Sequence, residues 1–233
     1  MTDQQPPIIN NKFEYHKLKQ INDSVKKQRV YETPDGERLP SVTTILSKTK
    51  DMTHLIEWKK RVGEVEAQRI VTEASGVGTA MHNNLERFVK GEQRMPGKNL
   101  VHVKANAMAD QIIEKGLKHV DEIWGVETQL YFPGLYSGTT DLVGIYKGQP
   151  AVMDFKQTNK PKKKEWVEDY FLQLTAYILA HNEVYGTDIK QGHIFMCSRD
   201  EQYQQFDLWP HEFDMWTTEW CNRVEDYYKK YHK

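Results

Sequence analysis

The run Gly138-Thr139-Thr140-Asp141-Leu142-Val143-Gly144-Ile145-Tyr146-Lys147-Gly148-Gln149-Pro150-Ala151-Val152-Met153-Asp154-Phe155-Lys156 decides the architecture. Gly138–Tyr146 and Ala151–Lys156 read as two antiparallel strands joined by a turn at Lys147-Gly148. Side chains two apart on a strand share a face. Asp154 and Lys156 therefore point one way, while Met153 and Phe155 point into a core. With Tyr146 opposite Gln149 at the turn, counting outward brings Asp141 opposite Asp154. Directly opposed residues hold their Cβ atoms about 4.5–5.5 Å apart, where two carboxylates repel. Such a pair needs a cation between its members or a proton on one of them. Oxygen ligands with room for water suit Mg²⁺ or Mn²⁺. Lys156 stands beside them, within reach of a water or a phosphate oxygen.

An acid-x-lysine triplet has little meaning alone, and a surface ion pair explains most of them. Two others occur here, Glu57-Trp58-Lys59 and Asp188-Ile189-Lys190. The first falls in a predicted helix, where residues two apart do not share a face. The second falls in a predicted turn with no facing acid. Only the triplet at 154–156 has a strand context and an opposed carboxylate.

Outward from the hairpin, His119–Phe132 reads as extended, Lys164–Glu183 as a helix, Gln191–Cys197 as a buried strand and Tyr203–Leu208 as another. Pro210 opens a C-terminal helix reaching Tyr228. Upstream, Ser41 caps a short helix through Leu46. Met52 to about Ser75 reads as a helix with Leu55, Trp58, Val62, Val65 and Ile70 on one apolar face. Gly76-Val77-Gly78 is expected to interrupt it and to let another backbone come close. A second helix follows from Thr79 to Lys90, burying Met81, Leu85 and Phe88, and a third spans Val101–Lys118. Residues 1–40 read as a polar extension with a turn at Asp35-Gly36. The order of elements describes a small mixed sheet flanked by helices.

Three further patterns carry chemistry. His82 and Glu86 are four apart on one helical face and can reach one metal or one phosphate. Gln173, Tyr177 and His181 repeat along one stripe of the helix after Lys156, beside the apolar Leu172, Ala176 and Leu179. Lys156, Lys160, Lys162, Lys163 and Lys164 place five positive charges in nine residues without an acid, a natural partner for phosphate. Residues 200–226 carry eight acids and one base, Arg223, and should face away from nucleic acid. Exposed aromatics such as Trp58 or Tyr170 could stack on bases, but burial in a core explains each of them better.

The chain has 233 residues, with 32 Lys and Arg against 33 Asp and Glu, a formal net charge of −1. That excludes a globally basic nucleic-acid coat, so any phosphate contact is local. Two cysteines, Cys197 and Cys221, exclude a disulfide scaffold, a Cys-ligated iron–sulfur cluster and a four-Cys zinc site, and suit a reducing compartment. No apolar run approaches the ~18 residues of a membrane span. The first residues lack the pattern of a secretion signal, and the first arginine is Arg29, so no organellar transit segment is expected. The expected setting is the cytoplasm of a bacterial or phage-infected cell.

Five ordered pieces carry a resemblance. They are Ser41-Val42-Thr43-Thr44-Ile45-Leu46, Gly78-Thr79-Ala80-Met81-His82, Gly138-Thr139-Thr140-Asp141, Asp154-Phe155-Lys156 and Gln173-Leu174-Thr175-Ala176-Tyr177. Together they resemble the PD-(D/E)XK nucleases, within them the RecB-type exonuclease branch that includes the mitochondrial genome maintenance exonuclease and short phage-encoded relatives. The resemblance implies an α/β, restriction-endonuclease-like core in a single nuclease domain over 1–233. Residues 1–40 would be an N-terminal extension, 41–118 a helical part, 119–208 the sheet core and 209–233 a C-terminal helix.

It implies a Mg²⁺- or Mn²⁺-dependent DNA exonuclease, with one or two ions, acting on single strands or free ends in replication, repair or recombination. Replication or recombination proteins would be its partners, without a membrane. Asp141, Asp154, the Phe155 carbonyl, His82 and, more loosely, Glu127 would hold metal. Lys156 would be the catalytic lysine, with Gln173 and Tyr177 beside it. Ser41, Thr43, Thr79, Lys160, Lys162, Lys163 and Lys164 would contact nucleic acid. A structure-specific endonuclease on the same core, or an inert binding subunit, are the rival expectations. Gln157 stands where such enzymes frequently have Thr, the cluster-binding cysteines of some relatives are missing, and no helicase P-loop is present.

Overall fold

Two cores, one on each face of a sheet, follow from strict alternation in the central strands. Val143, Val152, Ile194 and Met196 belong to one buried cluster, and Leu142, Met153, Phe155, Phe195 and Cys197 to the other. The computed structural model describes residues 4–23 and 28–231. In chain order the strands are β1 (Ile8–Ile9), β2 (Lys19–Asp23), β3 (Gln28–Glu32), β4 (Arg38–Pro40), β5 (Val120–Phe132), β6 (Tyr136–Tyr146), β7 (Gln149–Thr158), β8 (Gly192–Ser198) and β9 (Tyr203–Leu208). The helices are α1 (Val42–Thr49), α2 (Thr53–Val62), α3 (Glu64–Val89), α4 (Leu100–Lys115), α5 (Glu168–Tyr185) and α6 (Pro210–Tyr231).

The main sheet runs β1-β5-β6-β7-β8-β9. Its middle strands β5, β6 and β7 are antiparallel neighbours, and β7 pairs with β8 in parallel through the α5 crossover. The expected α/β class, a mixed sheet between helices, is what the structure shows. Residues of α1, α5 and α6 pack on one face, and those of α3 and α4 on the other. Ten residues of α5 are buried, five of them large and apolar or aromatic and divided between the sheet and the neighbouring helices, each contributing about 1.5–3 kcal/mol. Arg223, the one base of the acidic C-terminal stretch, ties three helices. Its guanidinium donates to the Leu46 carbonyl (2.9 Å) and to Thr49 Oγ1 (2.5 Å) of α1, and contacts Asp169 of α5 (3.4 Å).

Three expectations need correction. Gly76-Val77-Gly78 does not interrupt a helix, because α3 runs unbroken through it. A Cβ at Gly78 would stand 3.2 Å from Gln157 Cγ, so the missing side chain lets α3 lie against β7. The break falls instead at Gly63, whose φ of +85° suits only glycine at ordinary energy. The apolar face expected over 52–75 is largely unburied: α2 has no buried residue, and Val65 is 87% exposed. The polar extension over 1–40 is not merely an extension. β2, β3 and β4 form a second, antiparallel sheet that buries Val30, Tyr31 and Leu39. The turn at Asp35-Gly36 stands as read, closed by Thr33.

His181 lies fully buried between Tyr15 Oη (3.0 Å from Nε2) and Thr187 Oγ1 (2.8 Å from Nδ1). Burial, then the Lys12 charge, push its imidazole down to about 4. The folded protein therefore resists a proton that the unfolded chain takes up near 6.5. This stability is complete above 6.5 and drains away as pH falls toward 4. Between pH 7.5 and 5 the His181 share of the loss is about 2 kcal/mol. Urea denaturation at those two pH values should show a smaller acid-induced loss in His181→Gln than in the wild type. Equal losses would assign the acid sensitivity to other groups.

Candidate active site

The ladder between β6 and β7 keeps the expected register from Tyr146/Gln149 to Leu142/Met153 and stops there. Beyond that point β6 stays paired with β5 as far as Tyr136/Phe132, and β7 stays paired with β8 as far as Thr158/Ser198. The sheet thus forks between its two middle strands. Asp141 and Asp154 stand at the fork, one on each prong. Asp141 Oδ2 accepts the Phe155 N–H at 2.5 Å, in place of a backbone carbonyl.

The third strand brings another acid to the same level. Val126 pairs with Leu142 and Thr128 with Thr140, so Glu127 lies opposite Asp141. Glu127 has φ +50°, a left-handed conformation that costs a non-glycine residue about 1–2 kcal/mol. Glu127, Asp141 and Asp154 therefore form a row across β5, β6 and β7. They line a cavity of about 430 Å³ together with Lys156, His82, Gln173 and Tyr177. Ser41, Thr43 and Thr79 line it as well.

Helices complete the walls. α3, packed on the far face, reaches the fork through His82: its ring lies edge-on to Phe155 at 5.9 Å, and Nδ1 is 3.0 Å from Asp141 Oδ1. From α5, Gln173 Nε2 donates to Tyr177 Oη at 3.3 Å. Tyr177 packs so closely on β6 that a Cβ at Gly138 would stand 2.8 Å from its ring. Ser41 Oγ caps α1 by accepting the Thr44 N–H at 3.0 Å and also meets Thr43 Oγ1 at 3.0 Å.

The row is charged and crowded. Burial, reinforced by Asp141 and opposed by Lys156, pushes Asp154 up to about 6. Lys156 Nζ donates to Asp154 Oδ2. Burial pulls the Lys156 amine down, but the Asp154 and Asp141 carboxylates outweigh it and keep the amine charged. Burial likewise raises Asp141, yet His82, Lys156 and the Phe155 N–H together hold it below the usual carboxylate range. Protein crowding of its carboxylate, then the Asp141 charge, push Glu127 up to about 7. Burial keeps the Tyr177 phenol protonated far above neutrality.

Among the described residues, His82, Glu127 and Asp141 form a group able to hold a metal ion, with ligand atoms all within 4.8 Å of one another. The donors are one imidazole nitrogen and carboxylate oxygens, a set that suits a hard divalent ion in an open cleft.

Other expected residues do not converge here. Lys160, Lys162, Lys163 and Lys164 lie outside the cleft lining. Lys163 and Lys164 face acids, Glu165 (3.8 Å) and Glu212 (3.0 Å), so the acidic C-terminal stretch meets the basic run rather than turning away from it. Glu86 lines the cleft, but its carboxylate holds Lys90 at 2.6 Å. His181 leaves the Gln173–Tyr177 stripe for the buried pocket under Tyr15. Tyr170 carries the Lys156 amine 5.2 Å from its ring centre. Asp188 and Lys190 are a surface ion pair at 3.2 Å.

Arg29, Tyr31, Asn83 and Thr139 line the cleft and escaped the sequence reading. Thr139 was within reach, since it shares the strand face of Asp141. Arg29 and Tyr31 were not, because nothing local says that β3 packs over β6; the contact is seen in Tyr31 Oη, 3.4 Å from Thr139 Oγ1.

No protein-family model matches the chain. The human protein named mitochondrial genome maintenance exonuclease 1 is 27% identical over 210 residues, which cover 82% of this chain and 59% of the human one. Its Xenopus tropicalis counterpart is 27% identical over 214 residues, covering 82% and 58%. The aligned region thus spans under two thirds of these relatives. A solved structure from Eubacterium rectale superposes with TM-score 0.48 and 12% identity over 68% of this chain and 65% of that one. The sequence similarity supports a PD-(D/E)XK-type nuclease relationship.

The row of acids separates two kinds of substitution. Asp141→Ala leaves the buried Phe155 N–H without an acceptor and should lower stability in urea by about 1–3 kcal/mol. Glu127→Gln removes a crowded charge and should raise the metal-free melting temperature at pH 8. A lower melting temperature in Glu127→Gln would mean that its carboxylate is held by the fold rather than crowded by it.

Proposed function

We propose that the chain is a metal-dependent DNA exonuclease that hydrolyses phosphodiester bonds at single strands or free ends. One observation carries the reading: three carboxylates from three adjacent strands and one lysine meet at the fork of the sheet, inside a single cleft. The name of the relatives, an exonuclease, agrees with it. By the same reading the setting is the cytoplasm of a bacterial or phage-infected cell, whereas the relatives are named for mitochondria. Among the described residues no helix is long and apolar enough to cross a membrane.

Asp141, Glu127 and His82, with Asp154 and the Phe155 carbonyl beside them, would hold one or two Mg²⁺ or Mn²⁺ ions. Bound there, a divalent ion supplies Lewis-acid polarisation of the phosphate and a lower pKa for the attacking water. The chain's own groups do the rest. Asp154 aims the Lys156 amine into the cleft, where its positive charge can orient the water and balance charge developing on the phosphate. The Gln173 amide and the protonated Tyr177 phenol can donate hydrogen bonds to a phosphate oxygen. Ser41, Thr43, Thr79 and Arg29 stand on the walls as partners for flanking phosphates. Water adds in line to phosphorus, the bond to the 3′ oxygen breaks, and that oxygen takes a proton, leaving a 5′-phosphate and a 3′-hydroxyl.

End-labelled linear and circular single-stranded DNA, incubated with Mg²⁺ or Mn²⁺, test the reading. Linear DNA should be shortened and circular DNA spared. Cutting of the circle would point to an endonuclease, and cutting of neither to an inert binding module. Asp154→Asn should abolish cleavage while retaining DNA binding in metal-free buffer. Lys156→Ala should reduce kcat by about 10²- to 10⁴-fold with little change in metal affinity. Full activity in Asp154→Asn would remove that residue from the mechanism.

A further inference from the structure

A second cavity, of about 540 Å³, opens beside the cleft and shares Glu127 with it as a lining residue. Its origin is topological. β1 pairs with β5 only at Ile8/Glu122 and Ile9/Ile123, and the Asn10 N–H adds one bond to the Ile123 carbonyl. The chain is next tied to β5 where the Leu18 N–H donates to Gln129 Oε1 at 2.6 Å. Between these ties residues 11–17 touch β5 through side chains, the Tyr15 ring against Gly125 and the Phe13 ring edge-on to Trp124 at 5.5 Å, and no described strand pairs the outer edge of β5 beyond Ile123. The result is a groove between that edge and the side chains of Phe13, Tyr15, His16 and Lys17, with Lys90 on its rim.

The rings of this groove are fixed from behind. Phe13 packs edge-on to His181 at 5.1 Å, and Tyr15 packs edge-on to Tyr185 at 5.0 Å. The His16 ring stacks on Tyr185 at 6.0 Å, and the His16 backbone N–H donates to the Tyr185 hydroxyl at 3.1 Å. His16 and Lys17 are exposed, and Lys17 has no ion-pair partner among the described residues. Lys90 is held at 2.6 Å by Glu86, which lines the cleft. The exposed His16 ring beside the exposed Lys17 amine, continuous with a site for phosphodiesters, matches the chemistry of unpaired nucleotides: bases stack and phosphates meet ammonium groups. A duplex, whose bases are already stacked, offers the rings nothing.

We propose that this groove binds the nucleotides of a single strand that adjoin the phosphate being cut. The assignment rests on the nuclease reading for its direction along the strand, but its binding test does not require cleavage. Anisotropy of a short fluorescein-labelled oligo(dT) in EDTA should show the His16→Ala/Lys17→Ala double variant binding about tenfold more weakly than the wild type. Lys17→Ala alone should flatten the slope of log affinity against log salt by about 0.7. His16→Tyr, which keeps a ring, should bind close to wild type, as should Lys118→Ala, which removes a charge outside the groove. Equal affinity of the double variant and the wild type overturns the assignment, as does a wild type that binds no oligo(dT). Tight, groove-dependent binding without any cleavage under Mg²⁺ or Mn²⁺ overturns the nuclease reading and leaves the groove standing.

Discussion

The bond from the Phe155 amide to the Asp141 carboxylate is the constraint on which the site depends. At the fork, β6 and β7 no longer satisfy each other's backbone, and a buried N–H left open costs about 1–3 kcal/mol. Asp141 fills that need with one oxygen and offers the other to His82. One side chain thereby joins two strands and a helix from the opposite face of the sheet. The opening it leaves gives Asp154 and Lys156 access to a cleft, although both strands remain in the interior of the sheet.

Charge is concentrated here against the tendency of the fold. Four carboxylates line the cavity, Glu86 paired with Lys90 and the row of Glu127, Asp141 and Asp154 balanced by His82, Lys156 and the more exposed Arg29. The environment separates them into unlike groups. Asp141 is held ionised by its partners, while Asp154 and Glu127 are pushed toward neutrality. Glu127 additionally holds a left-handed backbone. Carboxylates kept crowded and a backbone kept strained are tolerated where surrounding structure over-determines them, and a bound cation would relieve the crowding.

The framework around the fork is conventional by comparison. Helices bury their apolar stripes on both faces, and Arg223 locks α1 and α5 to the C-terminal helix. The exposed α2 and the adjoining start of α3 depart from this pattern, since α2 buries no residue and Val65 is 87% exposed. Gly63 separates the two helices there, whereas Gly78 marks a close approach rather than a break.

Sequence by itself determined the hairpin, its register and the face shared by Asp141, Asp154 and Lys156. Those depend on the period of a strand and on a two-residue turn, both local properties. It also determined the Ser41 cap of α1, the Pro210 start of α6 and the apolar side of α5, for the same reason. Only the tertiary structure decided that Glu127 stands third in the row, because its place is set by a left-handed residue within a ladder read from both neighbours. Only it placed Arg29 and Tyr31 on the cleft wall, drew Lys164 toward Glu212, and sent His181 into the core. Those outcomes depend on which surfaces meet after distant segments pack, and no repeat or spacing along the chain records that.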